Sequence, residues 1–437
     1  MLPPDHPQRI VLNDEVHARP PEALRSPCRL FYLALLSPPE RRDEDWRAVE
    51  ALCKTFGVAP PLPSANHFSA DFGSFRLVFE RHAEFARYMI VTPAGDDSIP
   101  FAEPAIAAVP ADWLAALPGE VIAATQVALV RGSEPISHEE TAARSFSGNQ
   151  LIGSTIGGGA AVALTDLRVH DDGFGRRLVE DHGLTPRQAG RMVQRLLEID
   201  TYRMMALLAL PVAHKAMPFV AQCEKELTEV AVALVGAGEQ DEPGLLDRLT
   251  ALEGAIASRS SETYFRFSAA AAYYELVQRR IAELREERLQ GLQTFGDFIE
   301  RRLAPAMNTC RSVGARQELL SSRVARATQL LSTRVDVTRE RQNQAVLRSM
   351  DRRAALQLRL QTTVEGLSVA AITYYVVGLI GYAAKAATSL GIAVNAEIAM
   401  GVSIPIVAAL MAFGVHGIRK RVVQPRGTAR REDKLHD

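Results

Sequence analysis

Residues 367–384 read LSVAAITYYVVGLIGYAA, and after a short gap residues 398–418 read IAMGVSIPIVAALMAFGVHGI. The first stretch carries no charged side chain, and the second no Asp, Glu, Lys or Arg. A helix rises about 1.5 Å per residue and a hydrocarbon core is about 30 Å thick, so each stretch can cross a bilayer, the first only just. The C-terminal part of the 437-residue chain is therefore read as a two-helix transmembrane hairpin, preceded by a polar region of 366 residues.

The flanking charges orient the pair. Arg348, Arg352, Arg353 and Arg359 precede it, and Arg419, Lys420, Arg421, Arg426, Arg430, Arg431 and Lys434 follow. The gap at 385–397 holds Lys385 and Glu397 as its charged residues. Lys and Arg accumulate on the cytoplasmic side, so both termini are expected in the cytoplasm and the gap is expected to be a tight turn outside. The competing reading is a helical hairpin buried in a water-soluble core. A basic tail directly after the second apolar run weighs against it.

Composition fits this division. A mean hydropathy of −0.02 averages a polar region with an apolar hairpin. Lys+Arg 50 against Asp+Glu 51 leaves a net charge of −1, which gives no ground for nucleic acid as a partner. The N-terminal MLPPDHPQRIVLNDEVHARP has no apolar core of a signal peptide, so the polar region is expected to fold in the cytoplasm. Cys28, Cys53, Cys223 and Cys310 are scattered without a CxxC, as reduced structural thiols would be.

The polar region reads as α+β. RLFYLALL at 29–36 is apolar throughout and bounded by Pro27 and Pro38, which suits a buried strand. Residues 41–56 place Trp46, Val49, Leu52, Cys53 and Phe56 on one helical face. Stretches 72–80 and 85–91 suggest a hairpin, followed by a short helix at 111–117 and a strand at 121–130. The order β-α-β-β-α-β is that of a ferredoxin-like α/β sandwich. Two more strands are expected near 149–156 and 160–170. The pattern then turns helical. Thr185, Pro186 and Gln188 form a capping box with Pro at the first helical position. Pro211 is expected to break the helix they open, and a second helix runs to about Val235. Residues 236–244 are a Gly-rich connection, 245–302 are helical with a bend near Gly291, and Pro305 interrupts the run.

From 312 to 365 there is no Pro and a single Gly, with many Arg, Gln, Leu and Ala, all good helix formers. This stalk should continue into the first span. At about 1.5 Å per residue, 315–384 would make a rod of about 105 Å. Leu320, Val324, Ala327 and Leu331 form a short coiled-coil-like seam, which fails over 336–344 and resumes at Val346, Met350 and Ala354. The expected divisions are 1–175 (α+β), 176–311 (helical), 312–366 (stalk), 367–384 and 398–418 (spans) and 419–437 (basic tail).

Motifs for chemistry are sparse. Asp14, Glu15, His17 and Arg19 form the densest polar cluster. In extended chain Glu15, His17 and Arg19 share a face, as a metal or acid/base site would require. They equally suit an N-terminal arm pinned by ion pairs, and the lack of a second ligand set favours the arm. Residues 156–160, IGGGA, lack the GK[ST] of a P-loop and read as a turn that needs positive φ. Residues 137–140, SHEE, are not HExxH, and 170–173, HDDG, suit a loop. No GxSxG or catalytic Cys/His pair is present, so neither an enzyme nor a cofactor is expected. In the hairpin, the hydroxyls of Thr373, Tyr374 and Tyr375 need partners within lipid. Gly378 and Gly381 would let another helix approach, Pro405 should kink the second span, and Asn395 and Glu397 sit at the outer mouth.

Three motifs carry a resemblance: LNDEVHARPPE at 12–22, LLEIDTYRMMALLALP at 196–211 and VEGLSVAAITYYVVGLIGYAAKA at 364–386. On these the chain resembles a bacterial family of uncharacterised membrane-anchored proteins, a domain of unknown function, over nearly its whole length. The family implies the cytoplasmic membrane and no activity. The layout is also distantly similar to the CorA-type magnesium channels, in which a stalk helix continues into a pore-lining first span. That likeness implies a homo-oligomer in the lipid bilayer and cations as the conducted species. Such channels carry Gly-Met-Asn at the outer end of the first span. This chain has Gly381-Tyr382-Ala383 there, so strong magnesium preference is not implied. A non-conducting scaffold or sensor anchored by the hairpin is the other function class.

Overall fold

The computed structural model describes residues 3–10, 12–13, 20–62, 65–95, 98–132, 137–389 and 395–422. The polar cluster Asp14, Glu15, His17 and Arg19 and the tail beyond 422 lie outside them. The chain divides into two compact units, Met1–Leu331 and Ser332–Asp437. The fold is α+β, with a nine-stranded sheet followed by long helices.

The first unit runs β1 (Cys28–Leu36), α1 (Arg42–Phe56), β2 (His67–Asp71), β3 (Arg76–Arg81), β4 (Phe85–Pro93), α2 (Ala111–Ala115), β5 (Glu120–Arg131), α3 (His138–Ser145), β6 (Ile152–Ile156), β7 (Ala161–Thr165) and β8 (Gly175–Asp181). Helices α4 (Pro186–Leu207), α5 (Ala209–Gly236) and α6 (Glu242–Leu284), a short β9 (Glu287–Arg288) and α7 (Phe295–Ser389) follow. The sheet order is β2-β3-β4-β1-β5-β8-β7-β6-β9. β1 pairs antiparallel with both β4 and β5, and the parallel pair β5–β8 joins the two antiparallel halves.

β1 explains its own composition. Leu30, Tyr32 and Ala34 face a core shared with α4–α7, while Phe31, Leu33 and Leu35 face a second core under α1 and Trp113 of α2. A strand covered on both faces has no polar side to show, hence an unbroken apolar run. The glycines at 157, 158 and 159 all take positive φ in the β6–β7 turn, and Ser137 caps α3. Thr185 and Gln188 close the capping box of α4 at 2.9 and 3.4 Å.

Several elements depart from the sequence reading. β2, β8 and β9 have no counterpart in it, and the expected edge of the α+β domain at 175 falls at the first residue of β8, a central strand. Pro211 does not end a helix. The break is at Leu208, and Pro211 sits in the first turn of α5, where its missing N–H has no intrahelical partner to lose. Pro305 does not interrupt α7, which begins at Phe295, well before the expected stalk. The turns around it are anchored by buried Phe295, Ile299, Leu303, Met307 and Cys310, and that packing holds the helix across one absent hydrogen bond. The helix start is built by Glu286, whose carboxylate accepts from the amides of Phe295 and Gly296 at 3.0 and 2.9 Å, and by Thr294, which accepts from Asp297 at 3.1 Å.

The second unit holds the rest of α7 and α8 (Ala396–Val422). α7 runs on through Lys385 to Ser389, so the 13-residue gap of the sequence is partly helix. Among the described residues three stretches, not two, are long and apolar enough to cross a membrane by length and composition: Pro186–Gly236, Phe295–Ala387 and Ala396–Gly414. The additional one is α4 with α5, whose apolar residues from Ala189 to Ala216 form part of the core against the sheet.

Candidate functional site

In the second unit, the apolar windows of α7 and α8 are only 11% and 6% buried, so their surface is almost wholly uncovered. Leu367, Leu379, Ile398, Val402 and Leu410 stand exposed, and Phe413 is 82% exposed. The two helices meet at Gly381, which is buried: a Cβ there would lie 2.4 Å from Met400 Sδ. The absent side chain is what permits the approach. Beside this contact lies a groove of about 760 Å³ lined by Thr373, Tyr374, Tyr375, Gly378, Tyr382 and Met400.

The groove brings together four of the hairpin residues singled out in the sequence. Their roles differ. Thr373 Oγ1 donates to the Val369 carbonyl at 2.7 Å, so its hydroxyl is satisfied within its own helix. Tyr374 and Tyr375 pack edge to face with centroids 5.8 Å apart, and both rings are largely exposed. A Cβ on Gly378 would meet nothing within 4 Å. Asn395 acts as an N-cap, its side-chain oxygen accepting from the Glu397 amide at 3.0 Å, and Glu397 is exposed in the first turn of α8.

The first unit contains charge clusters that the sequence reading missed. Arg87 of β4 lies 2.5 Å from Glu80 of β3 and 3.3 Å from Glu198 of α4. Glu198 also accepts from Gln194 at 2.8 Å and pairs with Arg280 of α6. Arg280 and Arg195 both reach Glu283, at 2.8 and 3.0 Å. Three carboxylates and three guanidiniums thus alternate across sheet and helices, and their charges cancel. Burial raises Glu80, but the Arg87 guanidinium and His82 more than offset it and hold the carboxyl at about 2. Tyr32 and Thr201 hydroxyls meet at 2.7 Å beside this relay.

A second cluster surrounds Asp200 of α4. Arg177 of β8, only 1% exposed, grips it through Nε and Nη2 at 3.0 and 2.5 Å and stacks over the Phe295 ring at 5.2 Å. Glu198, Asp200, Thr201 and Arg203 all belong to the quoted motif at 196–211. The signal was present in that motif: two carboxylates two residues apart within an apolar helix need buried cations, but the sequence does not say which.

Among the described residues no group of three or more His, Cys, Asp or Glu could hold a metal. SHEE caps and opens α3, and HDDG is a turn in which His170 Nε2 lies 2.9 Å from Asp166. All four cysteines are buried and unpaired, and burial pushes the Cys28 thiol up to about 12.

No curated protein matches the chain. No solved structure matches it either. The sequence model of one family, described as "Protein of unknown function (DUF3422)", matches residues 4–422, nearly the whole chain. A match of that extent joins the sheet, the charge clusters and the apolar helices in one family unit: the chain belongs to the DUF3422 family.

Proposed function

We propose that this chain is a two-pass membrane protein that assembles from identical copies into a CorA-like ion-conducting or transport assembly. One observation carries the reading. The single helix α7 begins in the packed core of the first unit, at buried Phe295 and Ile299, and runs on through an uncharged apolar segment, 367–384, with almost no cover. In water such a segment would be costly, at about 25 cal/mol per Å² of apolar surface, and lipid removes that cost.

Within this reading α7 and α8 cross the bilayer as a hairpin, and α4–α5 do not, because their apolar faces already form core with the sheet. The Lys/Arg bias on both sides of the hairpin puts both termini in the cytoplasm of a bacterial cell, at the inner membrane. β1, α1, β3, β4, α2 and β5 are read as a ferredoxin-like unit, with β2 added at its edge. The supporting facts are the order β3-β4-β1-β5, its antiparallel pairings and the placing of α1 and Trp113 of α2 on one face. Cations are the conducted species, concentrated by Glu397 repeated around the outer mouth, with Lys385 opposing it.

A non-conducting scaffold or sensor is the second reading, and Thr373 favours it. Its hydroxyl bonds to its own helix, which leaves Tyr374 and Tyr375 as the span's remaining mid-span hydroxyl groups. The deciding measurement is ion flux through purified full-length protein in liposomes, alongside its size in mild detergent. The conducting reading expects an oligomer whose cation flux falls in Glu397→Gln. No flux of any ion transfers the assignment to the scaffold, and a strict monomer contradicts the conducting assembly.

A further inference from the structure

In the first unit a cleft of about 310 Å³ opens where β5 and β8 meet α4. Its charge is not cancelled as it is in the relay around Glu198. Arg168, Arg176 and Arg203 line it, with Asp200 as the lining carboxylate. Asp200 is already held bidentately by Arg177 at 3.0 and 2.5 Å. Arg203, with a side chain 20% exposed, reaches Asp200 only at 3.7 Å, and its buried Nε has no partner. Arg176 is anchored at 2.9 Å to the Ser145 carbonyl and at 3.3 Å to Asp172, but its Nε also has no partner. Arg168 is exposed and has no ion-pair partner among the described residues. Once Asp200 and Asp172 are assigned to Arg177 and Arg176, two guanidinium charges remain at one cleft.

We propose that this cleft binds a small oxyanion, a phosphate or carboxylate group carried on a short apolar body. Guanidinium groups bind such groups through paired, charge-assisted hydrogen bonds, and a buried donor with no partner is costly until something fills it. Burial, with Arg177 close by, pulls Arg203 below its usual range in spite of Asp200, which is the sign of a cation short of counter-charge. Val121, Ala123, Leu167 and Met204 add apolar lining, which suits the rest of a small molecule. The volume lies at the small end of ligand pockets, which points to a single small metabolite and not a polymer. This site lies within the α+β unit, and its existence does not depend on the membrane reading.

The test is calorimetric titration of full-length protein in mild detergent with inorganic phosphate and, separately, with acetate. Saturable binding is expected, and the tighter of the two ions identifies the group. Arg168→Gln and Arg203→Gln should each weaken it about tenfold or more. Arg316→Gln, which loses a pair with Glu224 elsewhere, should leave binding unchanged. Arg168 is exposed, so its variant folds and keeps the test decisive if Arg203→Gln does not. No saturable binding of either ion, or binding untouched by the Arg168 and Arg203 changes, overturns the proposal.

Discussion

Glu80 shows how a single buried side chain ties this sheet to its helices. It is nearly inaccessible, 2.5 Å from Arg87, and held at about 2 against an ordinary 4.5. Its folded pKa is depressed, so its contribution to stability is complete above pH 4.5 and is lost as pH falls toward 2. Glu80→Gln leaves Arg87 with Glu198 alone, and breaking one side of a buried pair costs about 3–5 kcal/mol. Urea unfolding in mild detergent should show a loss of that order at pH 7. The gap between variant and parent should then narrow between pH 4.5 and 2, where the parent carboxylate is itself being protonated. A gap of constant size down to pH 2 would contradict the assigned role.

At the scale of elements, α4 organises the first unit, and Gly190 is where its helical preference is sacrificed. Gly in a helix interior costs about 0.5–1 kcal/mol relative to Ala, so propensity alone makes Gly190→Ala stabilising. Packing reverses the sign. A Cβ at 190 would lie 1.6 Å from the Glu22 carbonyl oxygen, because the segment before β1 runs directly over the helix. That segment is fixed by the Leu24 amide bonding to the Pro186 carbonyl at 2.9 Å and by burial of Leu24. Gly190→Ala should therefore lower stability by about 2 kcal/mol or more, seen as a drop of several degrees in melting temperature. Helix α4 and β1 were legible in the sequence because each advertises its own environment, through a capping box and a two-sided apolar run. β8 was not. Its GRRLVED carries four charges, and only the partners Asp200 and Asp172, supplied by other elements, make it a central strand. The continuity of α7 at Pro305 is hidden for the same reason: the packing that carries the helix across it comes from residues distant in the chain. Most of the residues lining the hairpin groove fall in one stretch of sequence, 370–382, whereas the arginine cleft draws on β5, β8, α4 and a loop and has no linear pattern.

At the scale of the whole molecule, the question is what covers α7 after it leaves the core of the first unit. Leu320, Val324 and Leu331 are buried, and so is Val335, but from 341 to 364 every residue is exposed. Val346, Met350, Leu360 and Val364 stand open at positions that fit one heptad register, with Arg353 and Gln357 filling the places between. An apolar stripe in heptad register is the pattern by which identical helices pair, and polar residues within it set register at a cost in stability. The stripe belongs to the second unit. A chain ending at Leu331 keeps the buried turns of α7 and loses the stripe and both apolar helices. It should stay in solution without detergent and sediment as a monomer, while the full-length protein needs detergent and sediments as an oligomer. Equal association by the shorter chain would move the assembly surface to the α+β unit and remove the stalk from the account.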